Sequence, residues 1–308
     1  VSGLGDAVRG ELFEAPGLVR RQVELVEPLL AGAGCVAAVG AGDSYAAALA
    51  AAALGGGRVE AWDPVELVAS GRAGWLASRG CWLLALSVGG RSVSVVEAAR
   101  RFRSAGGRVV AVTADPGSPL AREADVVVEL VYGGLAGGVG AARHLVMLAA
   151  LAGLLGERVR GVPLPSEAPG VGDCTWLRSE VHSGCLDSAS TGLYAVLKLY
   201  EVYGSSARFY RVEQLVHAPV YSASVFTLYE PAGGPCRERV LEAYEAMREA
   251  GLRLSLVPRG SSSAAENVVS QAVSVLTCLA EAADMDGVLE PAYRRHRGLG
   301  VLTRLIYG

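Results

Sequence analysis

The sequence predicts an α/β chain of two units, each a doubly wound, mostly parallel sheet flanked by helices. Three observations predict it. Short apolar runs alternate with helical patterns through glycine-containing turns, which is how parallel strands covered on both faces read. A stretch rich in proline and glycine, 157–173, splits that alternation into two rounds. The 308 residues, 51% hydrophobic and 19% charged, are enough for two cores. The expected domains are 1–160 and 161–308.

In chain order, Glu11–Leu30 carries Leu18, Val19, Val23, Val26, Leu29 and Leu30 at helical spacing. Cys35–Val39 is an apolar run stopped by Gly40, and Ala46–Leu54 is strongly helix-forming. Trp82–Leu86 reads as a strand, followed by a helix over Ser92–Ala105. Arg108–Thr113 is a third strand, Leu120–Ala124 a short helix, Asp125–Leu130 a fourth strand and Ala141–Leu155 a long apolar helix. The second round is fainter. It comprises helix Gly192–Tyr203, strands Ala207–Arg211 and Ala223–Tyr229, helix Cys236–Ala250, strand Arg253–Val257 and helix Ala264–Ala283. A duplication is suggested, but the direct similarity of the halves is too weak to prove it.

Net charge of -3 argues against a nucleic-acid binder, which needs a basic surface. Val1–Pro16 lacks a charged segment followed by an apolar one, so no signal peptide is expected. The apolar stretch Val36–Leu54 is broken by glycines, Asp43 and Ser44, and His144–Leu155 is too short to span a bilayer; no membrane association is expected. Cys35, Cys81, Cys174, Cys185, Cys236 and Cys278 form no CxxC pair and suggest neither zinc nor a disulfide framework. Buried free thiols in a reducing cytosol are the expectation, with a disulfide open if the source is a hyperthermophile. Of 28 basic residues, Lys198 is the one lysine.

In open α/β sheets ligands sit beyond the carboxyl ends of the strands, where helix N-termini aim amide hydrogens at them. Two segments fit. Gly40-Ala-Gly-Asp-Ser44 offers glycines for close backbone approach and a hydroxyl at the helix start; Gly42 and Ser44 are the candidates. Leu86-Ser-Val-Gly-Gly-Arg-Ser92 ends a strand at Ser87 and turns through Gly89 and Gly90 to Ser92. A plainer reading makes Asp43 and Ser92 ordinary helix caps.

Together with Val112-Thr-Ala-Asp-Pro-Gly-Ser-Pro-Leu-Ala-Arg-Glu-Ala-Asp125, these segments resemble the SIS (sugar isomerase) domain family over residues 10–155. The resemblance implies two SIS domains and a sugar phosphate held by Ser44, Ser87 and Ser92. The family's second-loop pattern SxSGxT is here Ser87-Val-Gly-Gly-Arg-Ser92, so Gly89 stands where a serine is usual. Asp43 places a carboxylate where it would repel phosphate, and Arg91 is expected to offset it.

Aldose–ketose isomerisation needs a base that moves a proton between adjacent carbons and an acid/base that opens the ring. The second half supplies Ala195-Val-Leu-Lys-Leu-Tyr-Glu201 and Gln214-Leu-Val-His217. These are similar in type and separation to the isomerase half of glucosamine-fructose-6-phosphate synthase and to archaeal phosphoglucose/phosphomannose isomerases. The resemblance implies Glu201 as enediol base, His217 as ring opener and Lys198 beside Glu201, in active sites shared within a cytoplasmic homodimer. On their own, Lys198 and Glu201 also read as an exposed helix pair, and His217 as a surface histidine.

The synthase's imine-forming lysine has no counterpart in Gly298–Gly308, where Arg304 cannot form an imine, and no glutaminase domain is expected. Glutamine-dependent amination is therefore not expected. Asp284-Met-Asp286 is poor evidence for a metal, and no metal or cofactor is predicted. The expected function is interconversion of glucose, mannose or fructose 6-phosphate through an enediol. The alternatives are a glucosamine-6-phosphate isomerase/deaminase and a non-catalytic sugar-phosphate-binding protein.

Overall fold

The computed structural model describes residues 3–131, 139–222, 224–295 and 300–307. Ala223 of the expected strand and Gly298, Leu299, Gly308 and the Arg304 side chain of the tail lie outside the described residues.

Helix α1 (Leu4–Leu25) buries Leu4, Val8, Leu12, Ala15 and Val19 along one stripe. It begins before the expected Glu11 and stops ahead of Leu29. Then follow β1 (Val36–Val39), α2 (Asp43–Gly55), β2 (Val59–Trp62), α3 (Pro64–Ala69), α4 (Arg72–Ser78), β3 (Trp82–Leu86), α5 (Val93–Ser104), β4 (Arg108–Thr113), α6 (Pro119–Arg122), β5 (Val126–Glu129) and α7 (Ala141–Leu155). The later part contains β6 (Val181–Gly184), α8 (Asp187–Tyr203), β7 (Arg208–Arg211), α9 (Val212–His217), β8 (Phe226–Tyr229), α10 (Gly234–Glu249), β9 (Leu254–Val257), α11 (Ala264–Met285), α12 (Ala292–Arg295) and α13 (Gly300–Tyr307).

Two parallel sheets result, ordered β2-β1-β3-β4-β5 and β7-β6-β8-β9. Both are flanked by helices, the doubly wound α/β architecture that the sequence predicts. β1, β3 and β4 are buried almost throughout because helices cover both faces of the sheet. Local chemistry sets several helix starts. Asp63 accepts from the Val65 and Glu66 amides ahead of Pro64, and Ser118 accepts from the Ala121 amide ahead of Pro119.

The chain divides into two compact units. One holds the described parts of 18–133, 146–159 and 296–308; the other holds those of 1–17, 134–145 and 160–295. The first has a core around Val39, Leu83, Ala85, Phe102 and Val109. The second has a core around Leu215, Phe226, Leu228, Val240 and Met247. Helix α11 is long and apolar enough to cross a membrane, but 78% of its apolar window is buried in protein.

The free thiols expected from the cysteine spacing are not found. All six cysteines are paired, as Cys35–Cys81, Cys174–Cys278 and Cys185–Cys236, with Cα separations of 4.7, 5.0 and 5.7 Å. Cys35 and Cys81 directly precede Val36 and Trp82, which pair across neighbouring strands. Register creates that proximity, and linear spacing cannot reveal it. With the thiols paired, the argument from free cysteines to a reducing compartment falls away.

Candidate functional site

In the first sheet β1 and β3 lie side by side, with Val39 opposite Ala85. From β1 the chain passes through α2 to β2, on one side. From β3 it passes through α5 to β4, on the other. In open α/β sheets, ligands sit beyond the carboxyl ends of the two strands that flank such a reversal. The loops Gly40–Ser44 and Ser87–Ser92 leave from those ends.

Backbone constraints fix both loops. A Cβ on Gly40 would collide with the Ser44 carbonyl oxygen, and one on Gly90 with the Ser118 hydroxyl. Gly42 has φ +57° and Gly90 φ +60°, which glycine adopts freely. The Val88 carbonyl accepts from the Thr113 hydroxyl at 3.0 Å and the Ala114 amide at 2.8 Å, so β4 holds the second loop. Ser44, Ser87 and Ser92 are all buried.

The capping alternative fails for Asp43 and holds for Ser92 in position alone. Gly42 occupies the N-cap position of α2, with Asp43 the first helical residue. Ser92 occupies the N-cap position of α5, yet its hydroxyl makes no capping bond to that helix. Gly89 is exposed, with open space where a side chain would stand. Arg91, expected to offset Asp43, instead has Asp115 as its ionic partner at 3.6 Å. A guanidinium on an exposed loop pairs with the carboxylate its turn brings nearest.

In the second sheet's unit, Lys198 is fully buried in α8. Its Nζ donates to the Val139 carbonyl at 2.9 Å and to Glu201 Oε2 at 2.5 Å. The Glu201 side chain keeps 35% exposure. Lys198 and Glu201 are therefore not the exposed helix pair of the plainer reading. His217 ends α9 with its side chain 73% exposed, and its Nε2 lies 3.2 Å from Glu213 Oε1. Glu213 also accepts from Arg239. The structure thus joins Lys198 to Glu201 and joins His217 to neither. Asp284 and Asp286 are each paired with an arginine, Arg9 and Arg178. Among the described residues no group of three or more His, Cys, Asp or Glu side chains is arranged to hold a metal ion.

Sequence reasoning missed a second copy of the first loop. After β6 runs Gly184-Cys185-Leu186-Asp187-Ser188, matching Gly40-Ala-Gly-Asp-Ser44 in spacing. A Cβ on Gly184 would collide with the Ser188 carbonyl, as one on Gly40 would with that of Ser44. Leu186 has φ 52° and ψ -118°, beside 57° and -128° for Gly42. It is the one non-glycine at positive φ among the described residues. The recurring G-x-x-D-S was the available signal.

This second copy is filled from within. Asp187 Oδ2 accepts from the Ala232 amide at 3.0 Å and Asn267 Nδ2 at 2.7 Å. Burial raises its carboxyl pKa, and those hydrogen bonds oppose the rise. Glu230 follows β8 as Ser87 follows β3. Its buried carboxylate accepts from Arg237 Nε at 2.6 Å and the Arg259 amide at 3.2 Å. The Cys185–Cys236 disulfide ties the loop after β6 to the first turn of α10. Donors that could meet an external anion already serve internal carboxylates.

Residues 66–152 match the SIS domain family model. The matched span contains the Ser87–Ser92 loop and β3 to β5. Comparison with curated proteins finds no match. Among solved structures, the C-terminal domain of glucosamine-fructose-6-phosphate aminotransferase from Francisella tularensis is similar at TM-score 0.70. Identity is 14%, covering 92% of this chain and 98% of that one. Glucosamine-6-phosphate deaminase from Thermotoga maritima aligns at TM-score 0.66 and 16% identity, covering 93% and 98%. Tagatose-6-phosphate ketose/aldose isomerase from Escherichia coli aligns at TM-score 0.64 and 14% identity, covering 92% of each. At such identities the likeness is one of fold, and it extends over both sheets.

Proposed function

We propose that the chain is a phosphosugar isomerase that interconverts aldose and ketose hexose 6-phosphates through an enediol, built from two SIS units. What supports this reading is that the loops bearing Ser44, Ser87 and Ser92 leave the carboxyl ends of neighbouring strands β1 and β3, within a fold similar to that of solved phosphosugar enzymes. Hydroxyls and helix-start amides suit a phosphate dianion. Glu201, of the same chain or of a second copy, takes the proton from C2 of the open-chain aldose. The released electron pair forms the C1–C2 double bond of the enediolate. The proton returns at C1, and the C2 hydroxyl proton passes to the C1 oxygen, so that C2 becomes the ketone carbonyl and C1 carries a hydroxyl. Lys198 supplies positive charge beside that carboxylate, and His217 opens the ring.

A second reading, sugar-phosphate binding without turnover, is favoured by Asp43, whose carboxylate stands beside the cradle hydroxyls in sequence and disfavours a tightly held dianion.

The test is an activity screen against glucose, mannose, fructose and glucosamine 6-phosphates, with Glu201→Gln and His217→Ala alongside. Loss of a base lowers turnover by about 10²–10⁴-fold. Variants as active as the parent remove these assignments. Binding without turnover in the parent moves the conclusion to the second reading. Activity regained on mixing the two inactive variants supports shared sites in a homodimer.

A further inference from the structure

One buried titratable ring is used by nothing above. His144, on the first turn of α7, is 3% exposed. Its imidazole lies flat on Tyr194, with ring centroids 3.8 Å apart and planes 6° from parallel. Tyr194 is fully buried in α8, four residues before Lys198, so both point from one face of the helix. The Lys198 ammonium sits 5.1 Å from the Tyr194 ring centroid, within reach of a cation–π attraction.

The same short segment touches Lys198 a second time, because the Val139 carbonyl accepts from Nζ. Residues 139–144 therefore grip α8 at two points, a carbonyl on Lys198 and a ring on Tyr194. The segment is itself anchored. Glu11 Oε2 accepts from the Ala142 amide at 3.0 Å, and the Gly140 carbonyl accepts from the His144 amide at 3.2 Å. A carboxylate at a helix start is favourable to the helix dipole.

We propose that His144 is a positioning residue: stacked on Tyr194, it fixes the aromatic face that holds the Lys198 ammonium, and so fixes the hydrogen bond from Lys198 to Glu201. The consequence for turnover rests on the reading of Glu201 as the base. The geometric claim does not.

Because Lys198 is the chain's one lysine, isotope-labelled lysine gives a single side-chain NMR signal that reports this site. His144→Leu keeps apolar volume without a ring, and His144→Phe keeps the ring. The expected result is a displaced lysine signal in His144→Leu and a parent-like signal in His144→Phe. Turnover of a hexose 6-phosphate should fall about tenfold in His144→Leu with KM within about twofold, and recover in His144→Phe. That split is what misplacing a group that acts only in the transition state produces.

An unmoved lysine signal in His144→Leu overturns the proposal, as does a His144→Phe signal that moves equally. Should His144→Leu fail to give a cooperative thermal transition, His144→Met is a second ringless variant read the same way. A parent with no isomerase activity counts against the proposed function, while the lysine signal still decides the role of His144.

Discussion

Lys198 Nζ donates to Glu201 Oε2 at 2.5 Å from a position without solvent exposure, while the Glu201 side chain keeps 35% of its own. The two partners are therefore not equivalent. Lys198→Met replaces the buried charge by an apolar chain of similar length, and stability should stay within about 2 kcal/mol of the parent. Glu201→Leu leaves the buried ammonium without its carboxylate and should cost about 3 kcal/mol. Urea denaturation of the two variants checks the order, and an equal or reversed order counts against it.

The proposed phosphate cradle predicts two gains in affinity. Gly89 has open space at its Cβ position and no positive φ, so Gly89→Ser fits and adds a hydroxyl. One further hydrogen bond is worth about 1 kcal/mol, roughly fivefold in affinity. Asp43→Asn removes a negative charge and should strengthen phosphate binding most at low salt. Calorimetric titration with inorganic phosphate at two ionic strengths measures both effects.

Leu186 occupies a backbone region that a branched side chain adopts at a cost of about 1–3 kcal/mol, and its side chain is 52% exposed. Leu186→Gly removes that strain and loses little burial. The gain, less the extra unfolded-chain entropy of glycine, should be about 1 kcal/mol. It should appear as a higher urea midpoint with unchanged slope.

The disulfides predict that the unfolded, non-reduced chain has no titratable thiol. Cys174–Cys278 spans 104 residues, against 46 for Cys35–Cys81 and 51 for Cys185–Cys236. Loop-closure entropy ranks the first highest, at about 5 kcal/mol against about 4 for the others. Removing one pair at a time by double Cys→Ala substitution and measuring thermal midpoints tests the order.

His182 is buried with its Nε2 3.0 Å from the Ser179 carbonyl and its Nδ1 2.9 Å from the Tyr229 hydroxyl. Nε2 donates to that carbonyl, so the Tyr229 O–H donates to Nδ1, and the ring is neutral. Burial lowers its pKa to about 4. The unfolded chain, with a histidine near 6.5, binds more protons between these values, so stability falls as pH drops from 6.5 to 4. The loss is about 3 kcal/mol. His182→Gln should flatten this slope in denaturation midpoints measured across that window.

Reading strands as apolar runs succeeds where both faces are covered, as in β1, β3 and β4, and the glycine turns that follow mark the loops Gly40–Ser44 and Ser87–Ser92. It fails at β6. Val181-His-Ser-Gly184 contains buried polar residues whose burial is offset by hydrogen bonds to Ser179 and Tyr229. With β6 unread, its G-x-x-D-S turn goes unnoticed, and so does the clearest trace of duplication. β2 escapes because Val59-Glu-Ala-Trp62 is an edge strand with only Val59 buried. Glu201 and Lys198 stand out in the sequence through the family resemblance of Ala195–Glu201, and their i,i+3 spacing accounts for the ion pair they form. His144 does not stand out, because only packing brings the start of α7 onto α8.

The internally satisfied turn after β6 bears on stoichiometry. In the proposed cradle its counterpart after β1 offers the Ser44 hydroxyl, whereas Asp187 and Glu230 already occupy the donors of the later copy. A chain that carries the motif twice should therefore saturate at one equivalent of phosphate.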